Sequence, residues 1–128
     1  MTRGVADTSV FIARESGRPL RSEDLPDQLA VSVVTTGELR AGVLAAVDNA
    51  TRARRLETFT RVLDLEPLPI DQSVAESWAH LRIVLRDAGL RMPVNDSWIA
   101  ATALANGLPV VTQDADYVTL PGLQVIRV

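Results

Sequence analysis

Short apolar runs of strand character alternate with longer segments of helical period along the chain. A sheet built this way is expected to be parallel, because parallel neighbours need a crossover connection and that crossover is usually a helix. Val5-Ala6 opens the pattern as a short strand and Leu29 to Val33 is a second. Val34 to Val47, rich in Leu and Ala, reads as a helix, and Thr51 to Leu65 places Leu56, Phe59 and Leu63 at helical spacing. Pro67 and Pro69 bracket a short third strand or edge segment ending at Ile70. The next helix, Asp71 to Ala88, carries Val74, Trp78, Leu81 and Leu85 on one stripe and stops at Gly89. Asn95 to Asn106 is apolar almost all round and should be buried against the sheet. Leu108 to Thr112 and Leu123 to Val128 complete the strands.

With 128 residues and 47% hydrophobic composition, one core and one domain spanning 1–128 are expected, and a disordered or fibrous chain is excluded. Zero cysteines remove disulfides, thiolate metal sites and cysteine nucleophiles together. All 13 basic residues are arginine and there is a single histidine, so Schiff-base chemistry, lysine phosphate cradles and two-histidine acid–base pairs are unavailable within one chain. The start MTRGVADTSVFIARESG has too short an apolar run for a signal sequence, and no stretch of about 18 apolar residues occurs, so a cytoplasmic protein is expected. The formal net charge of −3 speaks, at first sight, against a polyanionic partner.

Where the acids fall changes that reading. Asp7 follows the first strand, Glu38 lies just after the second, Asp96 starts the apolar helix, and Asp114 and Asp116 follow LPVVT. In an open parallel sheet, these places share the carboxyl edge, where ligands bind beside a switch in strand order. Each acid has an ordinary alternative: Asp7 with Thr8 as a helix cap, Thr35 and Glu38 as a capping box, Asn95 with Asp96 as a cap and first-turn acid. Capping does not explain why one edge collects so many. Two carboxylates about 4 Å apart repel by roughly 4 kcal/mol at an effective dielectric of about 20, so a cluster calls for cations. Oxygen ligands without His or Cys favour Mg²⁺ or Mn²⁺. A calcium loop starting at Asp114 fails, since Thr119 stands where glycine is needed and Val125 where a glutamate is needed. DADYV also resembles the nucleophile motif of haloacid-dehalogenase-like phosphatases. Those proteins, like phosphoreceiver domains, need a lysine this chain lacks.

ADTSVFIA, TTGELRAG, NDSWIAATALANGLPVVTQDADY and GLQVIRV, in that order, resemble the PIN-domain family, and the size is similar to that of the VapC toxins of bacterial type II toxin–antitoxin pairs. The resemblance implies a three-layer α/β/α fold with a central, mostly parallel sheet of four to five strands. It implies that Asp7, Glu38, Asp96 and Asp114 form a catalytic acidic quartet holding Mg²⁺ or Mn²⁺. Asp116 matches a fifth acid, with Thr112 and Ser9 as supporting hydroxyls. The activity implied is endoribonuclease, with metal-activated water attacking the phosphodiester to leave 5′-phosphate and 3′-hydroxyl ends. The partners implied are an RNA substrate, a VapB-like antitoxin, and a second copy in a homodimer, with a heterotetramer or larger assembly when the antitoxin joins. A catalytically silent binding module of the same fold stays open, as does a metal-dependent nuclease or phosphatase with a substrate other than RNA.

Arginines divide between solvated helix faces and phosphate contacts. Arg82 and Arg86 share a face at i,i+4 with Arg91 nearby, Arg52, Arg54, Arg55 and Arg61 crowd one helix, and Arg40 either pairs with a site carboxylate or stands exposed. Of these, Arg40, Arg82 and Arg86 are the candidate RNA contacts. His80 reads as an ordinary surface histidine, and Trp78 and Trp98 as core. Setting the five site acids aside leaves 13 arginines against 11 acids, a net +2, so the acidity is local and a metal-loaded cleft could attract RNA.

Overall fold

The computed structural model describes residues 1–128. Four strands, β1 (Arg3–Ala6), β2 (Gln28–Ala30), β3 (Val110–Thr112) and β4 (Val125–Arg127), form one all-parallel sheet in the order β2-β1-β3-β4. Five helices surround it: α1 (Thr8–Ser16), α2 (Val33–Ala45), α3 (Asn49–Leu63), α4 (Gln72–Asp87) and α5 (Val94–Ala105). The chain leaves β1 toward β2 on one side, and β3 occupies the other. The switch in strand order therefore falls between β1 and β3.

Side chains alternate across the sheet with period two, which divides the core into two layers. Val5, Ala30 and Val110 pack with Leu81 and Leu85 of α4 and Ile99, Ala100 and Ala103 of α5. Their neighbours Ala6 and Val111 face the other way, toward Val10 and Phe11 of α1, Leu39 of α2 and Val62 of α3. Burying both faces explains why the central strands read as continuous apolar runs rather than alternating ones. Register is fixed by Val5 opposite Val110 and Ala6 opposite Val111. Gly4 is required by the closeness of β1 and β3, since a Cβ there would lie 2.7 Å from Val111 Cγ2.

The structure corrects several expected boundaries. The segment at Pro67–Ile70 is not a strand of the sheet; it contributes only an isolated parallel bridge between Leu68 and Ser32. The second strand ends at Ala30 because Ser32 caps α2, its hydroxyl accepting from the Val34 amide at 3.0 Å. The capping box of Thr35 and Glu38 is therefore not formed, and Thr35 is buried within the first turn. The helix expected to reach Val47 stops at Ala45, because Asp48 caps the next one by accepting from Thr51 N at 2.7 Å. Neither Asn95 nor Asp96 caps α5, whose N-cap is Pro93, and Asp7 occupies the N-cap position of α1 without a side-chain capping bond. The carboxylate of Asp7 is engaged elsewhere.

Candidate active site

Five acids reach the carboxyl edge of the sheet by separate routes. Asp7 is the residue after β1, and its amide continues the ladder by donating to Val111 O at 2.9 Å. Asp114 and Asp116 follow β3 by two and four residues, Asp96 lies in the first turn of α5, and Glu38 in the second turn of α2. The carboxylates of Asp96, Asp114 and Asp116 converge, one oxygen of each lying within 4.8 Å of the others. Asp7 sits close enough to Asp114 and Asp96 to feel both charges, and Glu38 is felt by Asp96. The tightest group thus includes Asp116, the fifth acid of the sequence reading, while Asp7 and Glu38 border it.

Hydroxyls hold the bordering acids. Ser9 donates to Asp7 Oδ1 at 2.5 Å and Thr112 to Asp7 Oδ2 at 2.9 Å, so both oxygens of the buried carboxylate are fixed. The same hydroxyls receive backbone amides, Gln113 N on Ser9 at 3.0 Å and Asp114 N on Thr112 at 2.8 Å. The loop carrying Asp114 is thereby bound to the residues that hold Asp7. On the far side, Thr8 donates to Glu38 Oε1 at 2.6 Å, and Asn95 Nδ2 approaches Glu38 Oε2 at 3.5 Å, the outer limit of a hydrogen bond. From sequence, Thr8 has only a capping role beside Asp7; its bond to Glu38 depends on α1 and α2 lying side by side.

Burial is the main force that pushes the Asp7 carboxyl up to about 6; the Ser9 and Thr112 hydroxyls oppose it, and the charges of Asp114 and Asp96 add to it. Asp96 is also raised to about 6, first by burial and then by the charges of Asp114, Asp116 and Glu38. Tyr117 was equally unforeseen. It is fully buried, its hydroxyl makes no hydrogen bond of ordinary geometry, and yet it stands near enough to Asp96 for each to influence the other's titration. Burial, followed by the charges of Asp7 and Asp96, holds the phenol strongly toward its protonated form.

This donor set suits a hard dication. Carboxylate oxygens are the preferred ligands of Mg²⁺ and Mn²⁺, and opposite ligands of Mg²⁺ stand about 4 Å apart, so the three converging acids need only small rotations to share an ion. Two open clefts flank the cluster, one of about 210 Å³ with Glu38 on its wall and one of about 460 Å³ with Asp114 on its wall.

The arginines singled out from sequence stand apart from the acids. Arg40 is exposed, with its guanidinium 5.7 Å from the centre of the Phe59 ring and no site carboxylate as partner. Arg82 lies over Trp78 at 5.0 Å, and Arg86 pairs with Asp87 at 3.1 Å. Trp78 and Trp98 are half-buried and stack on each other, centroids 4.3 Å apart, with Trp78 Nε1 donating to Ser97. His80 is exposed on α4. No helix is long and apolar enough to cross a membrane.

The family model described as PIN domain matches residues 5–123. The chain belongs to the PIN domain family. Among curated relatives, this PIN domain is 52% identical over 128 residues to Ribonuclease VapC5 of Mycobacterium tuberculosis, covering 98% of this chain and 95% of the relative. It is 50% identical over 126 residues to Ribonuclease VapC4 of the same organism, covering 98% and 97%. Among solved structures it superposes with TM-score 0.91 and 47% identity, over 100% of both chains, on VapBC-5, a member of the VapBC family of toxin–antitoxin systems from Mycobacterium tuberculosis. It also superposes on FitAcB from Neisseria gonorrhoeae with TM-score 0.75 and 28% identity, covering 95% of each chain.

Proposed function

We propose that this PIN domain is a divalent-metal-dependent endoribonuclease, the toxin of a VapBC-type pair. The observation that carries the reading is the convergence of Asp96, Asp114 and Asp116 beside a buried, doubly hydrogen-bonded Asp7, in a chain half identical to proteins named Ribonuclease VapC5 and VapC4. Asp96, Asp114 and Asp116 would hold the ion, with Asp7 and Glu38 completing the acidic wall. A bound Mg²⁺ or Mn²⁺ supplies a water of lowered pKa and neutralises charge on the phosphate oxygens.

The chain's own residues supply order and charge. Ser9 and Thr112 fix the orientation of Asp7, Thr8 fixes Glu38, and the amide contacts of Gln113 and Asp114 keep the β3 loop in register with β1. The like charges gathered around Asp96 and Asp7 favour a dication, and the protons these two carboxyls take up near pH 6 compete with it. A partner of the VapB kind is in keeping with the similarity to VapBC-5, and a cytoplasmic homodimer that joins the antitoxin in a heterotetramer or larger assembly completes the reading.

The test is cleavage of RNA by purified protein. Mg²⁺ or Mn²⁺ should support cutting to 5′-phosphate and 3′-hydroxyl ends, EDTA should stop it, and Asp7→Asn or Asp96→Asn should abolish it. Full activity in either variant refutes the assignment. Single-stranded DNA and simple phosphoesters, run in parallel, separate the ribonuclease from other metal hydrolases.

A further inference from the structure

We propose that Arg18, Arg21 and Arg127 form a shelf that binds the phosphate backbone of single-stranded RNA, running out from the acidic cluster at Asp114. The inference rests on the ribonuclease reading and names the path of the substrate beyond the reacting phosphate.

The shelf is an open cleft of about 460 Å³ whose walls include Arg18, Arg21, Arg127, Gln113 and Asp114. Asp114 is its one acidic side chain and is also a member of the converging trio, so the cleft and the cluster share a wall. The three arginines come from the turn after α1, the segment preceding the 3₁₀ turn at Ser22–Asp24, and β4. Nothing in their spacing announces that they meet. This volume lies within the range of ligand pockets, roughly 300–1,000 Å³, and gives room for a nucleotide unit.

Two of the three guanidinium groups are fixed in place, and the charge is largely unneutralised. Arg127 donates from Nη2 to the Tyr117 carbonyl at 2.6 Å, and Arg21 from Nη2 to the Arg127 carbonyl at 3.0 Å. Carbonyl acceptors orient a guanidinium without cancelling its charge. Neither Arg18 nor Arg127 forms a salt bridge, and the ion pair of Arg21, with exposed Asp24, is long at 3.6 Å. Gln113 joins shelf to site, its side-chain amide bonded to Pro19 O and its backbone amide to the Ser9 hydroxyl that holds Asp7. Guanidinium forks fit phosphate oxygens in pairs, which suits a sugar–phosphate backbone better than a point cation would. By contrast, Arg86 is paired with Asp87, and the cleft lined by Arg82, Arg86 and Arg91 has no member of the acidic cluster on its wall. The observations favour the shelf over the α4 face.

The experiment measures binding of a short fluorescein-labelled single-stranded RNA by anisotropy, in Mg²⁺, in an Asp96→Asn background that halts cleavage. Adding Arg18→Glu and Arg21→Glu should raise Kd at least about tenfold and flatten the slope of log K against log salt by about 1.4, at roughly 0.7 per lost phosphate contact. Arg54→Glu with Arg61→Glu, which imposes the same charge change on α3, should shift Kd less than about threefold. Arg18→Ala alone, at an exposed side chain without hydrogen bonds, should weaken binding by about three- to fivefold and flatten the slope by about 0.7, unaffected by any loss of fold. Equal shifts in the shelf and α3 variants would reduce the effect to bulk charge and overturn the proposal. So would an unchanged Kd, including the case where the shelf variants lose only an acidic partner peptide. An unsubstituted protein that neither binds nor cleaves RNA in Mg²⁺ would overturn the ribonuclease reading itself, which is a different failure.

Discussion

Thr112 donates its hydroxyl to Asp7 Oδ2 at 2.9 Å, tying the end of β3 to the end of β1 across 105 residues of sequence. The bond spans the switch in strand order, and it sets the negative wall of the site before any ligand arrives. Replacing Thr112 by Val keeps the shape and removes the donor, leaving the Asp114 amide and one Asp7 oxygen without their partner. The expected loss is about 1–3 kcal/mol of stability, the usual cost of orphaning a buried polar group. Chemical denaturation measures it, and a variant as stable as the parent would show that the network contributes nothing.

The raised carboxyls make the metal-free protein less stable as pH rises. Asp7 binds a proton more tightly folded than unfolded, so its stabilising contribution is complete below its unfolded value of 3.8 and is lost as pH climbs through about 6. Asp96 acts in the same direction over the same window. Thermal melting in EDTA should therefore give a Tm that falls between about pH 4 and 6 and then levels off. Asp7→Asn should flatten much of that fall, because the group that takes up the proton on folding is gone. A Tm that rises across this window contradicts the electrostatics described here.

Mn²⁺ should reverse the effect. Binding to the folded state alone raises stability by mass action, and protons compete with the ion for Asp7 and Asp96. Titration calorimetry at pH 7.5 should show binding that weakens by at least about tenfold at pH 5 and disappears in Asp114→Asn. Affinity independent of pH would place the ion elsewhere.

How much of this was legible beforehand follows physical lines. Strand and helix alternation predicted the parallel sheet, because burial on both faces writes continuous apolar runs, and four of the five expected strands formed. The Pro67–Ile70 segment misled because its apolar residues lie beside the sheet without a ladder to join. Glu38 admits a capping alternative beside its site role because capping and ligand positions share the same helix turns; only Ser32, buried and bonded to Val34 N, decides where α2 begins. The acids were visible in one dimension because each follows a strand or opens a helix. Tyr117 and the shelf arginines were not, because their roles depend on which segments lie side by side at the sheet edge.

Tyr117 offers a test of the buried phenol. Its hydroxyl is desolvated beside Asp96 without a hydrogen bond of ordinary geometry, a state that costs folding free energy. Tyr117→Phe removes the group and keeps the ring that packs with Leu120 and Leu123. The metal-free variant should be as stable as the parent or up to about 1 kcal/mol more stable. A loss of more than about 2 kcal/mol would mean that the hydroxyl is bonded in solution.

Anomalous scattering from a Mn²⁺-soaked crystal tests the central claim most directly. The account predicts a peak bounded by carboxylate oxygens of Asp96, Asp114 and Asp116, with Asp7 and Glu38 within direct or water-mediated reach. A peak elsewhere, or none at Mn²⁺ concentrations that support RNA cleavage, would contradict it.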